Sequence, residues 1–356
     1  MEKNTPLREL MMQAIKEGAS DLHLTEDTPP IFRIDGRLTP LSKERLNREQ
    51  IKEFIYGVLT ADQKIKFEHD KELDFSLALP GLDRFRVNVH VQRGSVEAAL
   101  RRISVFIPSM EELQLPPVYA DLARKPNGLV LVTGPTGTGK TTTLASMINL
   151  INTERSCMIT CIEDPIEYIY TNKKSVIKQR EVYRDTHSFA EALKRCLRQD
   201  PDVIVVGEMR DLETISTALT AAETGHLVLA TLHTPDAPQT VERIIDVFPP
   251  YQQQQVRLQL AACLQGVLSQ QLAPRASGKG RVMVPEIMVA TPAVRNMIRE
   301  KAVEQLRTAI QTGGQWGMKT FDKSLKELYE KGDITYDTAI SMARNVEELK
   351  GLIGRK

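Results

Sequence analysis

The chain has 356 residues, 41% of them hydrophobic and 26% charged, which is ordinary for a folded protein and long enough for two domains. Its 47 lysine and arginine residues balance 46 aspartate and glutamate residues, so a protein that coats nucleic acid is not expected. The apolar runs are of strand length, the N-terminus lacks the apolar core of a signal peptide, and the four cysteines form no C-x-x-C pair. These features favour a cytoplasmic protein that does not insert directly into a membrane.

The first hundred residues alternate helix and strand patterns. Thr5-Pro6 predicts the start of a helix that ends near Gly18, and Asp35-Gly36 predicts a tight hairpin turn. Helices are predicted over 46–59 and 61–67, and strand-like segments follow at Glu72–Leu79, Arg84–Val91 and Val96–Ile103. We predict a small α+β domain over residues 1–107 and a proline-punctuated linker over 108–117.

Continuous apolar strands mark the second part of the chain. Gly128–Val132 has the pattern of a strand buried on both faces of a parallel sheet. Similar runs follow at Met158–Ile162, Val203–Val206 and Leu227–Leu232, with helical stretches such as Ser188–Arg198 and Leu212–Ala222 between them. This alternation predicts a parallel α/β core over residues 118–290. Past Pro249-Pro250 we expect mainly helix, apart from a short strand pair around Arg281–Val289, and a helical C-terminal region over 291–356.

A phosphate-binding motif lies directly after the first of these strands. Residues 134–141 read GPTGTGKT, which fits G-x-x-x-x-G-K-[ST] between an apolar strand and a helix-forming run. Such a loop turns its N–H groups onto phosphates beside the positive end of a helix. Lys140 would reach the β- and γ-phosphates of ATP, and the Thr141 hydroxyl would ligate Mg²⁺. The predicted nucleotide-binding residues are Gly134, Pro135, Thr136, Gly137, Thr138, Gly139, Lys140, Thr141 and Thr142.

An acidic residue at the end of a neighbouring strand would complete the Mg²⁺ site. Gly207 and Glu208 follow Val203–Val206, so glycine stands where the usual Walker B pattern has aspartate. We expect Glu208 to hold Mg²⁺ through water, because this ion keeps several of its waters. The alternative is that Glu208 is a strand-end carboxylate paired with Arg210.

A second acidic segment, Glu163-Asp164-Pro165-Ile166-Glu167, follows the strand Met158–Ile162. The carboxyl ends of strands converge on the ligand crevice of an open α/β sheet. Glu163 is therefore our candidate for polarising the attacking water, and Glu167 is the alternative. Asp164 before Pro165 also fits a simple turn.

Two histidines, His226 and His233, bracket the strand Leu227–Leu232. Their spacing places them on opposite faces of the strand or at its two ends, which argues against a shared metal. A structural hydrogen bond is the plainer interpretation for either one. His233 follows the carboxyl end of the strand, where it is placed to sense the γ-phosphate, and we favour it over His226 as a catalytic residue.

Four segments occur in an order typical of one family: Gly134–Thr142, Glu163–Glu167, Gly207–Asp211 and Thr224–Thr234. In this the chain resembles the secretion ATPases of the type II and type IV pilus class over essentially its whole length. Ala293–Glu300 is similar to a C-terminal motif of the members that retract pili in twitching motility. The resemblance implies a RecA-like P-loop core, a PAS-like N-terminal domain and a homohexameric motor ATPase. It also implies work on inner-membrane platform proteins of the type IV pilus, from the cytoplasmic face.

The resemblance also implies that arginines of the small domain approach the phosphates. Arg86 and Arg101 match those positions best, while Arg84, Arg93 and Arg102 remain open alternatives. Their role would be to neutralise charge on the transferring phosphoryl group. The plainer interpretation of each is an arginine on a solvated strand face.

Two other functions fit a P-loop core. A nucleic-acid motor is disfavoured by the balanced charge and the single tryptophan, Trp316, because strand binders combine a basic groove with stacking aromatics. A small-molecule kinase would not need the N-terminal sheet domain or the C-terminal helices.

The retraction-like segment Ala293–Glu300 follows a helix-start signal, Thr291-Pro292. We expect Ala293, Val294, Met297 and Ile298 on a stripe that can be buried. Arg295, Asn296, Arg299 and Glu300 should then project toward the other sides. A solvated amphipathic helix is the plainer interpretation, and the resemblance favours a part in retraction.

Overall fold

The structure, a computed structural model, describes residues 6–78, 83–103 and 106–354. The described residues up to Phe106, together with Glu167–Ile169, form one compact unit. Ile107–Ile166 and the described residues from Tyr170 onward form the other. The domain limits drawn from the sequence, including the linker over 108–117, stay a prediction. Within the described ranges, no helix has both the length and the apolar character that crossing a membrane requires.

The N-terminal unit is an antiparallel sheet packed against helices. Its helices are α1 (Pro6–Lys16), α2 (Arg48–Tyr56) and α3 (Ala61–Asp70). Its strands are β1 (Asp21–Leu24), β2 (Ile31–Ile34), β3 (Arg37–Pro40), β4 (Glu72–Ala78), β5 (Arg84–Gln92) and β6 (Ser95–Ile103), in the sheet order β3-β2-β1-β6-β5-β4.

Local sequence explains where the elements of this unit begin and turn. Asn47 and Thr60 each accept a backbone hydrogen bond in a capping box, which starts α2 and α3. Asp35 and Gly36 both have positive φ, 48° and 83°, as the tight turn between β2 and β3 requires. Apolar side chains such as Phe32, Ile51 and Phe85 are fully buried between the helices and the sheet.

The larger unit is built on a mostly parallel sheet. Its strands are β7 (Gly128–Thr133), β8 (Met158–Glu163), β9 (Val176–Glu181), β10 (Val203–Val206), β11 (Leu227–Leu232), β12 (Leu264–Pro274) and β13 (Arg281–Val289). They are ordered β13-β12-β7-β11-β10-β8-β9 among the described residues, and β13 alone of these is antiparallel to its neighbour.

Helices cover both faces of this sheet. They are α4 (Val118–Ala123), α5 (Lys140–Glu154), α6 (Phe189–Cys196), α7 (Leu212–Glu223), α8 (Ala237–Asp246), α9 (Pro250–Cys263), α10 (Pro292–Arg299), α11 (Leu306–Thr312), α12 (Phe321–Glu330), α13 (Tyr336–Met342) and α14 (Val346–Ile353). Alternate residues of each central strand pack into two clusters, one with α5 and the other with α6 and α7. Burial on both faces explains why these strands are apolar throughout.

The expectation of mainly helix after Pro250 is wrong for Leu264–Pro274, which form the long strand β12. The apolar pattern of α9 runs into this strand without a glycine or proline break, since α9 ends at Cys263 and β12 begins at Leu264. The strand also carries buried polar residues, Ser269 and Gln270, which obscure an apolar strand pattern. The α/β fold class predicted from the sequence is confirmed.

Candidate active site

The phosphate-binding motif forms the loop between β7 and α5. Gly134, Gly137 and Gly139 have φ values of 143°, 82° and 85°, a conformation that favours glycine. Gly139 caps the N-terminus of α5 without a side chain, so the first-turn N–H groups of the helix remain available to an anion. The loop therefore has the backbone that the sequence motif predicts.

Lys140, the first residue of α5, folds back over this loop. Its Nζ donates to the carbonyl oxygens of Gly134 at 2.7 Å and Pro135 at 3.0 Å. Thr138 closes the same turn, because its Oγ1 donates to Pro135 O at 2.8 Å. The lysine therefore carries its charge at the loop that would receive the phosphates.

Three strands of the parallel sheet end beside this loop. Strand β11 lies between β7 and β10, and β8 follows β10, all in parallel register. Their carboxyl ends carry His233, Glu208 and Glu163 along the same edge of the sheet. The structure thus places His233 at the phosphate loop, Glu208 beside His233, and Glu163 on the same edge of the sheet two strands beyond β11.

Glu208 is held by two side chains, Arg210 and His233. Arg210 contacts it through Nε at 2.6 Å from Oε1 and through Nη2 at 2.6 Å from Oε2, and His233 Nε2 lies 3.1 Å from Oε1. Burial raises the pKa of Glu208, but the hydrogen bond from Arg210 and the charge of His233 outweigh it and leave the pKa below its usual range. Glu208 is therefore a carboxylate paired with Arg210, as the alternative interpretation from the sequence expected, and its contact with Mg²⁺ through water stays a prediction.

The oxygen donors here suit a hard cation such as Mg²⁺. Thr141 supplies a hydroxyl in the first turn of α5, and Glu208 supplies a carboxylate at the strand edge. Both Glu208 oxygens already have partners, so contact through water fits this carboxylate better than direct ligation. Thr141 and Glu208 are accordingly the residues that would hold the ion.

Gly207 explains the departure from the usual Walker B pattern. A Cβ at this position would lie 3.1 Å from Ile162 O and 3.3 Å from Glu163 Cα. The backbones also bond directly here, because Gly207 N donates to Ile162 O at 2.8 Å. The close approach leaves little room for an aspartate side chain in this backbone arrangement.

Glu163 is the last residue of β8 and is only 8% exposed. Its Oε1 accepts a hydrogen bond of 2.9 Å from Gln179 Nε2 on the neighbouring strand β9. This contact fixes the side chain at the carboxyl-terminal edge of the sheet. Glu167, the alternative base, belongs to the compact unit of the N-terminal residues.

His226 and His233 lie at opposite ends of β11, one of the two arrangements that their spacing allows. His226 precedes the strand, and its Nδ1 lies 2.9 Å from Ala221 O. Because β11 runs parallel to β7 in register from Leu227 with Gly128, His226 lies at the end opposite to the phosphate loop. His226 is therefore not brought together with the phosphate loop of its own chain.

Comparisons with known proteins identify the family of the chain. The family model described as "Type II/IV secretion system protein" matches residues 3–340. The chain belongs to this type II/IV secretion family. Among its relatives, the "Type IV pilus retractation ATPase PilT" of Pseudomonas aeruginosa is 48% identical over 95% of this chain and 98% of its own length. The "Twitching motility protein" of Neisseria gonorrhoeae is 46% identical over 90% of this chain and 86% of its own length.

A solved structure of the same family is similar over the whole chain. It is described as the pilus retraction motor PilT with bound ADP, and its TM-score is 0.88 at 47% identity. The match covers 98% of this chain and 100% of that structure. The family resemblance drawn from the sequence motifs is therefore confirmed.

The arginines expected from the family lie in the N-terminal unit. Arg86 on β5 and Arg101 on β6 are direct cross-strand partners. Arg101 Nε donates to Asp21 Oδ1 at 3.0 Å, and the Arg101 side chain remains 63% exposed. Arg102, one of the alternative candidates for a phosphate-contacting arginine, instead forms an ion pair with the buried Asp83.

The retraction-like segment of the family forms α10, and two of its residues differ from expectation. Val294 and Ile298 are buried as predicted, but Ala293 is exposed. Arg295 does not project away from the protein. Its guanidinium donates to the carbonyl oxygens of Ala261, Ala262 and Ala290, at 2.7, 2.6 and 3.0 Å. Ala261 and Ala262 lie in the last turn of α9, where carbonyl groups have no partner within the helix, so Arg295 caps the C-terminus of α9. Arg299 is exposed, as expected.

Several residues that support the site were not found from the sequence. Gln270 on β12 donates to the Thr138 carbonyl of the phosphate loop at 2.8 Å, and Gln179 holds Glu163. Arg344 Nη2 donates to Pro235 O at 2.6 Å, which anchors the loop that follows His233. Each lies far from its partner in the sequence, and a single glutamine or arginine carries no motif that would have revealed it.

Proposed function

We propose that this chain is a P-loop ATPase that hydrolyses ATP to drive retraction of type IV pili. The observation that carries the proposal is the Lys140 loop between β7 and α5, beside an edge that carries Glu163, Glu208 and His233. The relatives in Pseudomonas aeruginosa and Neisseria gonorrhoeae, a pilus retraction ATPase and a twitching motility protein, support the mechanical part of the proposal.

Nucleotide binding falls to the phosphate loop. Inward N–H groups and the N-terminus of α5 bind the phosphates, and Lys140 exchanges the carbonyls of Gly134 and Pro135 for the β- and γ-phosphates. Thr141 would hold Mg²⁺ directly and Glu208 would do so through water. When bound, this ion neutralises charge on the phosphates.

Hydrolysis requires an oriented water. Glu163, fixed by Gln179, accepts a proton from this water as it attacks the γ-phosphate. His233 contacts Glu208 at 3.1 Å and lies 3.4 Å from the Thr136 hydroxyl through Nδ1. It therefore links the strand edge to the phosphate loop and is placed to respond to the presence of the γ-phosphate.

The motor form of the protein is a homohexamer in this proposal. Arg86 and Arg101 lie on adjacent strands of the N-terminal unit and would neutralise phosphoryl charge as domains close. The ring would act at the cytoplasmic face of the inner membrane, on platform proteins of the pilus. Native mass spectrometry with and without ATP tests the ring, since a stable monomer in both conditions would contradict it.

Deletion and complementation in the organism of origin test the function. Cells without the chain should carry surface pili that do not retract, and re-expression should restore twitching. Lys140→Ala should fail to restore it, while Lys279→Ala, a change on the exposed β12–β13 turn, should succeed. Cells that twitch normally without the chain, or that lack pili altogether, would contradict a role in retraction.

A further inference from the structure

Strand β12 lies directly against the start of the phosphate loop. Ser269 is the register partner of Thr133, and their buried hydroxyl oxygens lie 2.8 Å apart. Gln270 is the next residue of β12, and Gly134 is the residue that follows β7. A Cβ on Gly134 would lie 2.3 Å from the Gln270 carbonyl oxygen, so only glycine allows this approach. The backbone of Gln270 therefore abuts the first residue of the loop.

The side chain of Gln270 reaches the other end of the same loop. It is 2% exposed, and its Nε2 donates to the Thr138 carbonyl oxygen at 2.8 Å. The opposite amide orientation would place two acceptor oxygens 2.8 Å apart, so the nitrogen must face the loop. This fixes the direction of the Thr138 carbonyl.

The direction of that carbonyl determines the direction of the next N–H group. In a trans peptide the C=O and the following N–H point to opposite sides. Since the Thr138 carbonyl points to Gln270, the Gly139 N–H points away from β12. Gly139 is also the N-cap of α5, where N–H groups of a phosphate loop meet the anion.

We propose that Gln270 is a positioning residue for phosphate binding, which acts by holding the Thr138 carbonyl and thereby orienting the Gly139 N–H. The proposal rests on nucleotide binding at this loop. A second observation separates this role from simple core filling: Gln270 Oε1 is buried and, within the described part of the chain, has no hydrogen-bond partner. An apolar side chain would fill the space without that unpaired oxygen, so the amide contributes through its bond to the loop.

The test compares Gln270→Met with Gln271→Met. Methionine keeps a similar volume but cannot donate to the Thr138 carbonyl. Gln271 is the next residue of β12, half-buried, and its side chain makes no hydrogen bond within the described ranges. Titration calorimetry at 25 °C measures the affinity for MgADP and for magnesium pyrophosphate, which reaches the loop through phosphates alone. Circular dichroism confirms that each variant is folded at that temperature.

Gln270→Met should bind both ligands about tenfold more weakly, because a buried hydrogen bond to the loop is lost. The factor should be similar for ADP and pyrophosphate, and Gln271→Met should stay within about twofold of the parent chain. A merely structural role would lower the melting temperature without changing the affinity of folded protein. Unchanged affinity, or a loss for ADP without a loss for pyrophosphate, would overturn the proposal.

Gln270→Glu gives an independent result should the methionine variant not fold. A carboxyl group of nearly the same shape donates to the Thr138 carbonyl only when it is protonated. Burial at this position raises the pKa of the introduced carboxyl group, so the loss of ADP affinity relative to the parent chain should be larger at pH 8 than at pH 6. Affinity equal to that of the parent chain at pH 8, where the carboxylate cannot donate, would overturn the role of Gln270. A parent chain that binds neither ligand would instead overturn the proposed function and this inference with it.

Discussion

The imidazole of His233 joins two parts of the site: Nε2 lies 3.1 Å from Glu208 Oε1, and Nδ1 lies 3.4 Å from Thr136 Oγ1. One side chain at the end of β11 thus contacts both the end of β10 and the phosphate loop. This arrangement explains why a histidine follows the strand, since the ring has a polar atom on each side.

His233→Ala should lower kcat by about 10²-fold with a smaller effect on the KM for ATP. The substitution removes the side chain that connects Glu208 to the phosphate loop, and this connection is expected to matter for hydrolysis more than for ATP binding. Steady-state phosphate release measures both constants. His69→Ala, on the exposed end of α3, serves as the control and should leave both constants unchanged. Equal kinetics for the two variants would remove His233 from the mechanism.

Glu163→Gln should bind ATP normally and lose about 10²–10⁴-fold in turnover, the usual contribution of a general base. The amide keeps the shape and a hydrogen-bonding oxygen for Gln179 but cannot accept the proton of water. Calorimetry with ATP and single-turnover hydrolysis separate binding from chemistry. If Glu167→Gln gives this phenotype and Glu163→Gln does not, the base is the other acid.

The sequence predicted the central strands of the large sheet but not the strands β9 and β12. Strands such as β7 and β11 are buried on both faces, so their residues form continuous apolar runs. Strand β9 is a polar strand at the end of the sheet order, and β12 places Ser269 and Gln270 against the phosphate loop. In β12, Gln270 contacts the phosphate loop while Leu264 and Val267 of the same strand lie in the core. The identity of β9 and β12 as strands therefore depends on tertiary contacts that periodicity does not contain.

In the candidate site, too, some features were predictable from the sequence and others depend on tertiary contacts. The loop 134–141 was predictable because phosphate binding requires a glycine-rich backbone at fixed spacing. The bond between Gln270 and Thr138 was not, because it joins residues 132 positions apart. Arg295 was misplaced because helical periodicity gives the side of α10 on which it lies but not the end of α9 that approaches this side.

Arg295→Ala should destabilise the protein by about 2 kcal/mol, because the charged hydrogen bonds to the end of α9 are lost. Arg299→Ala, on the exposed side of the same helix, should leave stability within about 0.5 kcal/mol. Urea unfolding measures the stability of both variants. Equal stability of the two variants would contradict the capping role of Arg295.

A part of α10 in retraction predicts a different effect of Arg299→Ala, which should reduce twitching while ATPase activity stays normal.

Arg86→Ala and Arg101→Ala should each reduce hydrolysis although both residues belong to the N-terminal unit. Mixing either variant with Lys140→Ala subunits tests whether the arginines act across a subunit boundary. In that case some interfaces join an intact loop to an intact arginine, and activity partly returns. Co-assembled mixtures without any recovery would indicate action within one chain.

The central claim, ATP hydrolysis at the Lys140 loop, is tested most directly by phosphate release from the purified chain. The parent chain and Lys279→Ala should hydrolyse ATP at the same rate, and single-stranded DNA should not stimulate it. Lys140→Ala should lose at least about 10²-fold, because the flexible cation at the phosphates is removed. Parent-level turnover by Lys140→Ala, or no hydrolysis by the parent chain, would contradict the account.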